Sequence, residues 1–390
     1  MSTLKQLGFP TMHGHGSHVD DPSEIRLSGF GGATRLLGSR NDLRWVTEFF
    51  SPALRTMPHA VTTETVHTAV DAQRYVTMHR TMHRDQTRRY DCFTLDGHFE
   101  SFIGRDLPDG GLVVWLESLS LMLSVNESRD VFHVVADSSE AKLRVGVMRV
   151  LREIATVRAL RTGALPLHGA ACVRGDGAVG FLGAKRAGKT TALIHWLQTP
   201  GTRFLANDRF FVFHRNDAWF AQGMPTIVSV RADTLLHFEA LRRRTGELPY
   251  RPSQTLAEVR SGKVQPSEPR ESVYLSQAQF LEITDRAAEI EAPVSMLLFP
   301  ERDDRLGSAE LESLSTPEGM ELLRSSLLSP GPHLVTSEVF DRVPRFEVPE
   351  EAVRETCRRL SVAGLCHRYR QGFRTLASPA TMPRHGSKIH

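Results

Sequence analysis

One eight-residue run narrows the fold more than any other feature: Gly183-Ala184-Lys185-Arg186-Ala187-Gly188-Lys189-Thr190, which fits GxxxxGK[ST]. An apolar stretch, Val179-Gly180-Phe181-Leu182, leads into it, and Thr190 to Leu197 reads as a helix leading out. A strand, a tight glycine turn and a helix in that order form the heart of a nucleotide-binding α/β unit. The residue types suit the task. Gly183 and Gly188 let the backbone curl so that successive N–H groups converge on phosphate oxygens. The start of the helix adds the positive end of its dipole. Lys189 is placed to neutralise β- and γ-phosphates and the hydroxyl of Thr190 to ligate Mg²⁺, while Thr191 joins the loop residues as a nucleotide-binding position. A chance glycine turn would leave Lys185, Arg186 and Lys189 as three unexplained cations in one loop.

A glycine loop of this kind serves hydrolases and transferases alike, so the flanking residues must choose. Leu167 to Val173 and Ala178 to Leu182 read as strands joined by an Arg174-Gly175-Asp176-Gly177 hairpin turn. His168-Gly169 lies on the first of them. Phe204 to Phe213 reads as a single apolar strand that carries Asp208. If that strand runs beside the loop-bearing one, Asp208 faces the γ-phosphate. It could then ligate Mg²⁺ or accept a proton from an attacking hydroxyl.

The 390 residues, 40% of them apolar, suffice for two or three domains. Residues 1–40, rich in Gly, His and Ser, read as a flexible leader. His13, His15 and His18 fall within it and, without supporting Cys or carboxylate geometry, read as part of a flexible tail rather than a metal site. Residues 41–138 read as an α+β N-terminal domain suited to substrate recognition, with strands at Arg89–Phe93 and Gly111–Leu116. A helix is expected from Ser139 to Thr162, where Leu143, Val147, Val150, Leu151, Ile154, Val157 and Leu160 make one apolar stripe and Gly163 stops it. It opens the nucleotide-binding domain, 139–377. Within that domain, the arginine-rich stretch from Arg242 to Ser272 reads as a solvated loop, with a lid over phosphates as the sharper alternative. A helix at Ser276–Ile283, a strand at Val294–Phe299 and a helix at Pro349–Leu360 follow, then a flexible tail, 378–390. Net charge is +3, which gives no general pull toward nucleic acid. The four cysteines form no CxxC pair, and no signal peptide or membrane span is expected, which points to a cytoplasmic protein.

His168-Gly169, the glycine loop, and then Phe204-Leu205-Ala206-Asn207-Asp208-Arg209 together resemble bacterial HPr kinase/phosphorylase and its relatives. In that family an "HG" strand precedes the loop and an "ADDR"-like strand supplies the catalytic aspartate. The resemblance is close over Leu167 to Phe213 and extends in outline to about residue 375. It implies an α/β fold with an HPr-kinase/PEP-carboxykinase-like P-loop core, to which this chain adds its α+β N-terminal domain. It also implies an ATP- or GTP-dependent, Mg²⁺-requiring kinase acting on a hydroxyl group. His168 matches the family's active-site histidine, Lys189 its loop lysine, Thr190 its Mg²⁺-binding serine and Asp208 its proton acceptor.

Two departures bear on the acceptor. Asn207 stands where the first of two paired aspartates is usual, and the family's EIRGxGxxDV-like signature, with its metal-binding glutamate, has no counterpart. The chain instead reads Gly223-Met224-Pro225-Thr226-Ile227-Val228-Ser229-Val230-Arg231, where Arg231 is a candidate phosphate or substrate clamp. Relatives that lack the EIRGxGxxDV-like signature act on hydroxyls of small metabolites or seryl groups of peptides, so the resemblance implies as acceptor a small hydroxylated metabolite, such as a sugar or nucleoside. A peptide seryl group and a non-catalytic nucleotide-binding protein are the alternatives. The family assembles as homo-oligomers, a property that depends on interfaces and does not follow from the site.

Overall fold

The computed structural model describes residues 23–82, 87–95, 98–231, 272–307, 309–329, 333–341 and 345–372, with Thr234, Phe238 and Leu241. The three leader histidines, residues 242–271 of the arginine-rich stretch and the 378–390 tail lie outside them. The described chain is mixed α/β and divides into two units. One comprises 23–166 with Leu328–Val353, the other Leu167–Leu327 with 354–372.

Nine described strands make the main sheet of the first unit: β1 (Ser23–Gly29), β2 (Gly32–Gly38), β3 (Arg55–Thr56), β4 (Glu64–Val70), β5 (Arg88–Leu95), β6 (His98–Asp106), β7 (Leu112–Leu116), β8 (Leu121–Val125) and β9 (Val131–Ala136). They form one sheet in the order β3-β1-β2-β4-β9-β8-β7-β6-β5. Its helices are α1 (Arg40–Phe50), α2 (Ala72–Met82) and α3 (Glu140–Arg161). The expected flexible leader is corrected from residue 23 onward. β1 and β2 make a regular antiparallel hairpin that turns at Phe30 and Gly31, both at positive φ, and buries Leu27 and Leu36 in the sheet.

The helix expected after Ser139 forms, with the Ser139 side chain accepting from the Lys142 N–H as its N-cap. Its membership is the correction: α3 belongs to the first unit, so the boundary lies at 166/167 and not at 138/139. Its stripe lies on the sheet face of Val134 and Leu121. Gly146 approaches that face so closely that a Cβ there would stand 2.2 Å from Leu121 Cδ1. Periodicity identified the stripe but not the sheet that it covers. Buried Glu153 accepts from Thr94 Oγ1 at 2.7 Å and from the Thr94 N–H at 3.1 Å, which ties the helix to β5 through a satisfied carboxylate.

On the opposite face, His67 of β4 and His133 of β9 sit in register and stack with ring centroids 4.5 Å apart. Burial first, then Arg74 and His67, push the His133 imidazole down to about 4. Burial, Arg74 and Arg35 also lower His67. An unfolded histidine, near 6.5, takes up a proton that the folded ring refuses, so stability is complete above that pH and falls as the pH drops from 6.5 toward 4. After screening of a partly exposed ring, His133 contributes about 1–2 kcal/mol to this loss. Urea unfolding midpoints at pH 7.5 and 5.0 measure it. His133→Phe keeps the stacking and should flatten the pH dependence; an unchanged slope would assign the effect elsewhere.

The second unit contains β10 (Leu165–Arg174), whose first two residues belong to the first unit, β11 (Gly177–Leu182), α4 (Lys189–Leu197), β12 (Arg203–Ala206), β13 (Arg209–Arg215) and β14 (Ala218–Gly223). It continues with β15 (Val228–Arg231), β16 (Ser272–Leu275), α5 (Gln277–Thr284), β17 (Glu291–Arg302), β18 (Glu310–Ser313) and α6 (Thr316–Ser325). The chain returns to the first unit for a two-stranded pair, β19 (Leu334–Val335) and β20 (Glu347–Val348). It then runs through α7 (Glu350–Val362) to β21 (Cys366–Gln371). The main sheet follows the order β11-β10-β13-β14-β17-β21-β18, and a parallel β11–β17 pairing closes its first five strands into a ring. β11, β17 and β21 run parallel, so their carboxyl ends lie at one edge. Phe181, Trp196, Phe204, Phe280, Leu298 and Tyr369 fill the core beneath α4 and α5.

One expected strand is corrected. Phe204 to Phe213 is interrupted at Asn207-Asp208: β12 pairs with β10, β13 pairs with β14, and Asp208 takes φ +76° between them. A run of apolar residues does not reveal such a break, because both halves are buried. Among the described residues, no helix is long and apolar enough to cross a membrane.

Candidate functional site

The glycine-rich loop links the carboxyl end of β11 to α4. Gly183 (φ +129°) and Gly188 (φ +89°) occupy the left-handed half of conformational space, where a side chain would strain the chain. Arg186 joins them at φ +72°. Gly188 is the N-cap of α4 and no side chain caps the helix, so its first N–H groups are presented to the loop. Lys189 folds back over the loop, donating to the carbonyls of Gly183 (2.8 Å) and Ala184 (3.0 Å). The Ala187 N–H closes a tight turn on Ala184 O. Lys185 and Arg186 are exposed; Thr190 and Thr191, in the first turn of α4, are half-buried.

The Asn207-Asp208 break comes to this loop. The Thr190 hydroxyl and Asn207 Oδ1 lie 3.1 Å apart. Asn207 is buried, and its carbonyl accepts from the Thr226 hydroxyl at 2.6 Å. The next carbonyl, that of Asp208, accepts from the Gly169 N–H at 3.2 Å. These two bonds fix both ends of a left-handed aspartate, a conformation that Asp tolerates better than most residues. They turn its carboxylate outward, 44% exposed, to within 3.7 Å of His168 Nε2. That separation is an ion-pair distance just beyond a hydrogen bond. His168 is anchored through its own N–H, which donates to Ser326 O at 2.7 Å. Gly169 is required here, since a Cβ would meet Phe181 O at 2.6 Å and Leu182 and Phe210 side chains at 2.7 Å.

The fold thus gathers His168, Thr190 and Asp208, named from sequence alone, with Lys189 on the same helical turn as Thr190. Arg231 ends β15, opposite Ser272 in a separate two-stranded sheet. Thr226 is a residue of the site that sequence reasoning missed. A threonine in a Pro-Thr-Ile stretch carries no chemical signal, and only the closed fold shows that it clamps the Asn207 backbone.

The donor set is one of hard oxygens: a hydroxyl, an amide carbonyl and a carboxylate. No group of three His, Cys, Asp or Glu side chains lies together among the described residues. These oxygens suit Mg²⁺, which binds through one or two carboxylates and completes its shell from phosphates and water. Comparison with protein-family models and with curated protein sequences finds no match for this chain.

Proposed function

We propose that this chain is a phosphotransferase that moves the γ-phosphate of ATP or GTP to a hydroxyl group, with a core of the HPr-kinase/PEP-carboxykinase type. The observation that carries the reading is the meeting of the Asn207-Asp208 turn with Thr190, which brings a carboxylate to a glycine loop at a helix start. A loop alone would bind phosphate; a carboxylate beside it, paired with an imidazole, adds the means to take a proton.

Each residue then has a role. The loop amides and the α4 N-terminus hold the phosphate chain. Lys189 leaves its two carbonyl partners to meet the transferring group, and charge stabilisation there supplies much of the rate. The Thr190 hydroxyl gives its proton to Asn207 Oδ1 and keeps its lone pairs for Mg²⁺, so Asn207 orients a metal-facing oxygen without adding a second negative charge. The Thr190 hydroxyl would hold Mg²⁺, which when bound would neutralise charge on the phosphates. Asp208 accepts the proton of the attacking hydroxyl, and His168 holds its carboxylate in place. The acceptor that suits this reading is a small hydroxylated metabolite.

The test is incubation of the purified chain with ATP or GTP, MgCl₂ and panels of sugars, nucleosides and seryl peptides, read by mass spectrometry. An acceptor that gains the mass of one phosphoryl group supports the reading. Nucleotide binding with no product from any acceptor would favour the non-catalytic alternative, and acceptor-independent phosphate release would favour a hydrolase.

A further inference from the structure

The strand farthest in sequence from the glycine loop ends beside it. Gln371 closes β21, two strands across from β11 in the parallel set β11-β17-β21, and its carbonyl accepts from the Asp303 N–H at 3.0 Å. The residue is 7% exposed. Its Nε2 lies 3.8 Å from the point where a Cβ on Gly188 would stand, so the amide faces the N-cap of α4. At its other end, Oε1 is buried and has no hydrogen-bond partner among the described residues.

Such an arrangement is costly for a purely structural residue. A buried amide oxygen without a donor destabilises a fold by about 1–3 kcal/mol, a cost that an apolar side chain would not carry. The nitrogen end, facing the loop, gives the amide a use that an apolar side chain lacks. No side chain caps the start of helix α4. A carboxylate over that end would satisfy the helix and repel an anion. An amide nitrogen instead adds one more donor to a set already aimed at an anion.

We infer that Gln371 belongs to the phosphate site, donating through Nε2 to an oxygen of the polyphosphate held at the start of α4. The inference rests on the phosphotransferase reading and deepens it, by making the carboxyl end of β21 a wall of the same pocket. Gln371 is a binding residue in this account and takes no part in proton transfer.

The experiment measures the affinity of the full chain for MgATP and for magnesium-bound inorganic triphosphate by calorimetry, in wild type, Gln371→Leu and Gln371→Glu. Thermal melts establish that each variant is folded. The expected order of affinity is Gln, then Leu, then Glu. Leu should lose about 10-fold, the worth of one hydrogen bond to a charged group, for both ligands. Glu, nearly identical in size, should lose at least ~50-fold because its charge faces the phosphates. A packing role would give the opposite ranking of the two variants, since Glu preserves the shape and Leu does not. Leu and Glu variants within twofold of wild type would overturn the inference while leaving the phosphotransferase reading intact. A wild-type chain that binds neither ligand would remove both. Should the Glu variant fail to fold, the Leu variant decides alone: a loss of about 10-fold supports the contact and an unchanged affinity overturns it.

Discussion

Asp208→Asn is expected to slow phosphoryl transfer by roughly 100- to 10,000-fold, the range over which a positioned general base contributes, while nucleotide affinity stays within about threefold. The substitution is close to isosteric, so the two backbone bonds that pin the turn, Thr226 to Asn207 O and Gly169 to Asp208 O, should survive. Asparagine also tolerates the φ of +76° at this position. What disappears is the negative charge and the proton-accepting oxygen beside His168. Single-turnover transfer from labelled ATP to an identified acceptor, with calorimetry for nucleotide binding, separates chemistry from binding. Wild-type turnover in the folded variant would refute the role of Asp208. A parallel collapse of nucleotide affinity would instead make it chiefly a ligand of the metal–nucleotide complex.

Lys189→Ala should act on both steps. Its ammonium group is the cation nearest to the phosphates in any ligand that follows the loop amides, so its loss should weaken triphosphate binding by about 10- to 100-fold and transfer by about 1000-fold. The folded state should barely notice. Lys189 donates to Gly183 O and Ala184 O, both at the loop surface, where water replaces it; a net cost of about 1 kcal/mol is expected. The measurements are nucleotide titration and a urea unfolding curve on the same preparation. Affinity equal to wild type would show that the loop does not grip phosphate through this side chain. Unfolding of the variant would make the lysine a structural clamp on the loop.

The two variants probe parts of the site that were legible to different degrees. The loop is contiguous, so its glycines, its lysine and its threonine could be read from eight letters, and the strand before it and helix after it form as local periodicity predicts. His168 and Asp208 could be named only as candidates, because nothing local states that they meet. Their approach to 3.7 Å depends on β10 pairing with both β11 and β12 and on the break at Asn207. Asn207 looked like a lost charge; the structure gives it a partner in Thr190. Thr226 and Gln371 were invisible, being ordinary polar residues whose importance lies in what they are buried against.

The domain boundary teaches the same lesson. The α3 stripe was readable because a helix that buries one face must repeat apolar residues every three to four positions. Its sheet was not, since the stripe fits any apolar surface. The hairpin at 23–38 was missed because a glycine-rich turn between short strands has the composition of a flexible leader.

By itself, then, the amino-acid order determined what depends on neighbours in the chain: the glycine-rich loop, the strand before it, the helix behind it, the helices α3, α5 and α7, and a minority of the strands. Tertiary structure alone decided which distant groups share that loop, which sheet each helix covers, and where an apolar strand must break to turn a carboxylate outward. The physical reason is one of range. Backbone geometry and side-chain periodicity act over a few residues, whereas strand pairing and burial select contacts between segments more than a hundred residues apart.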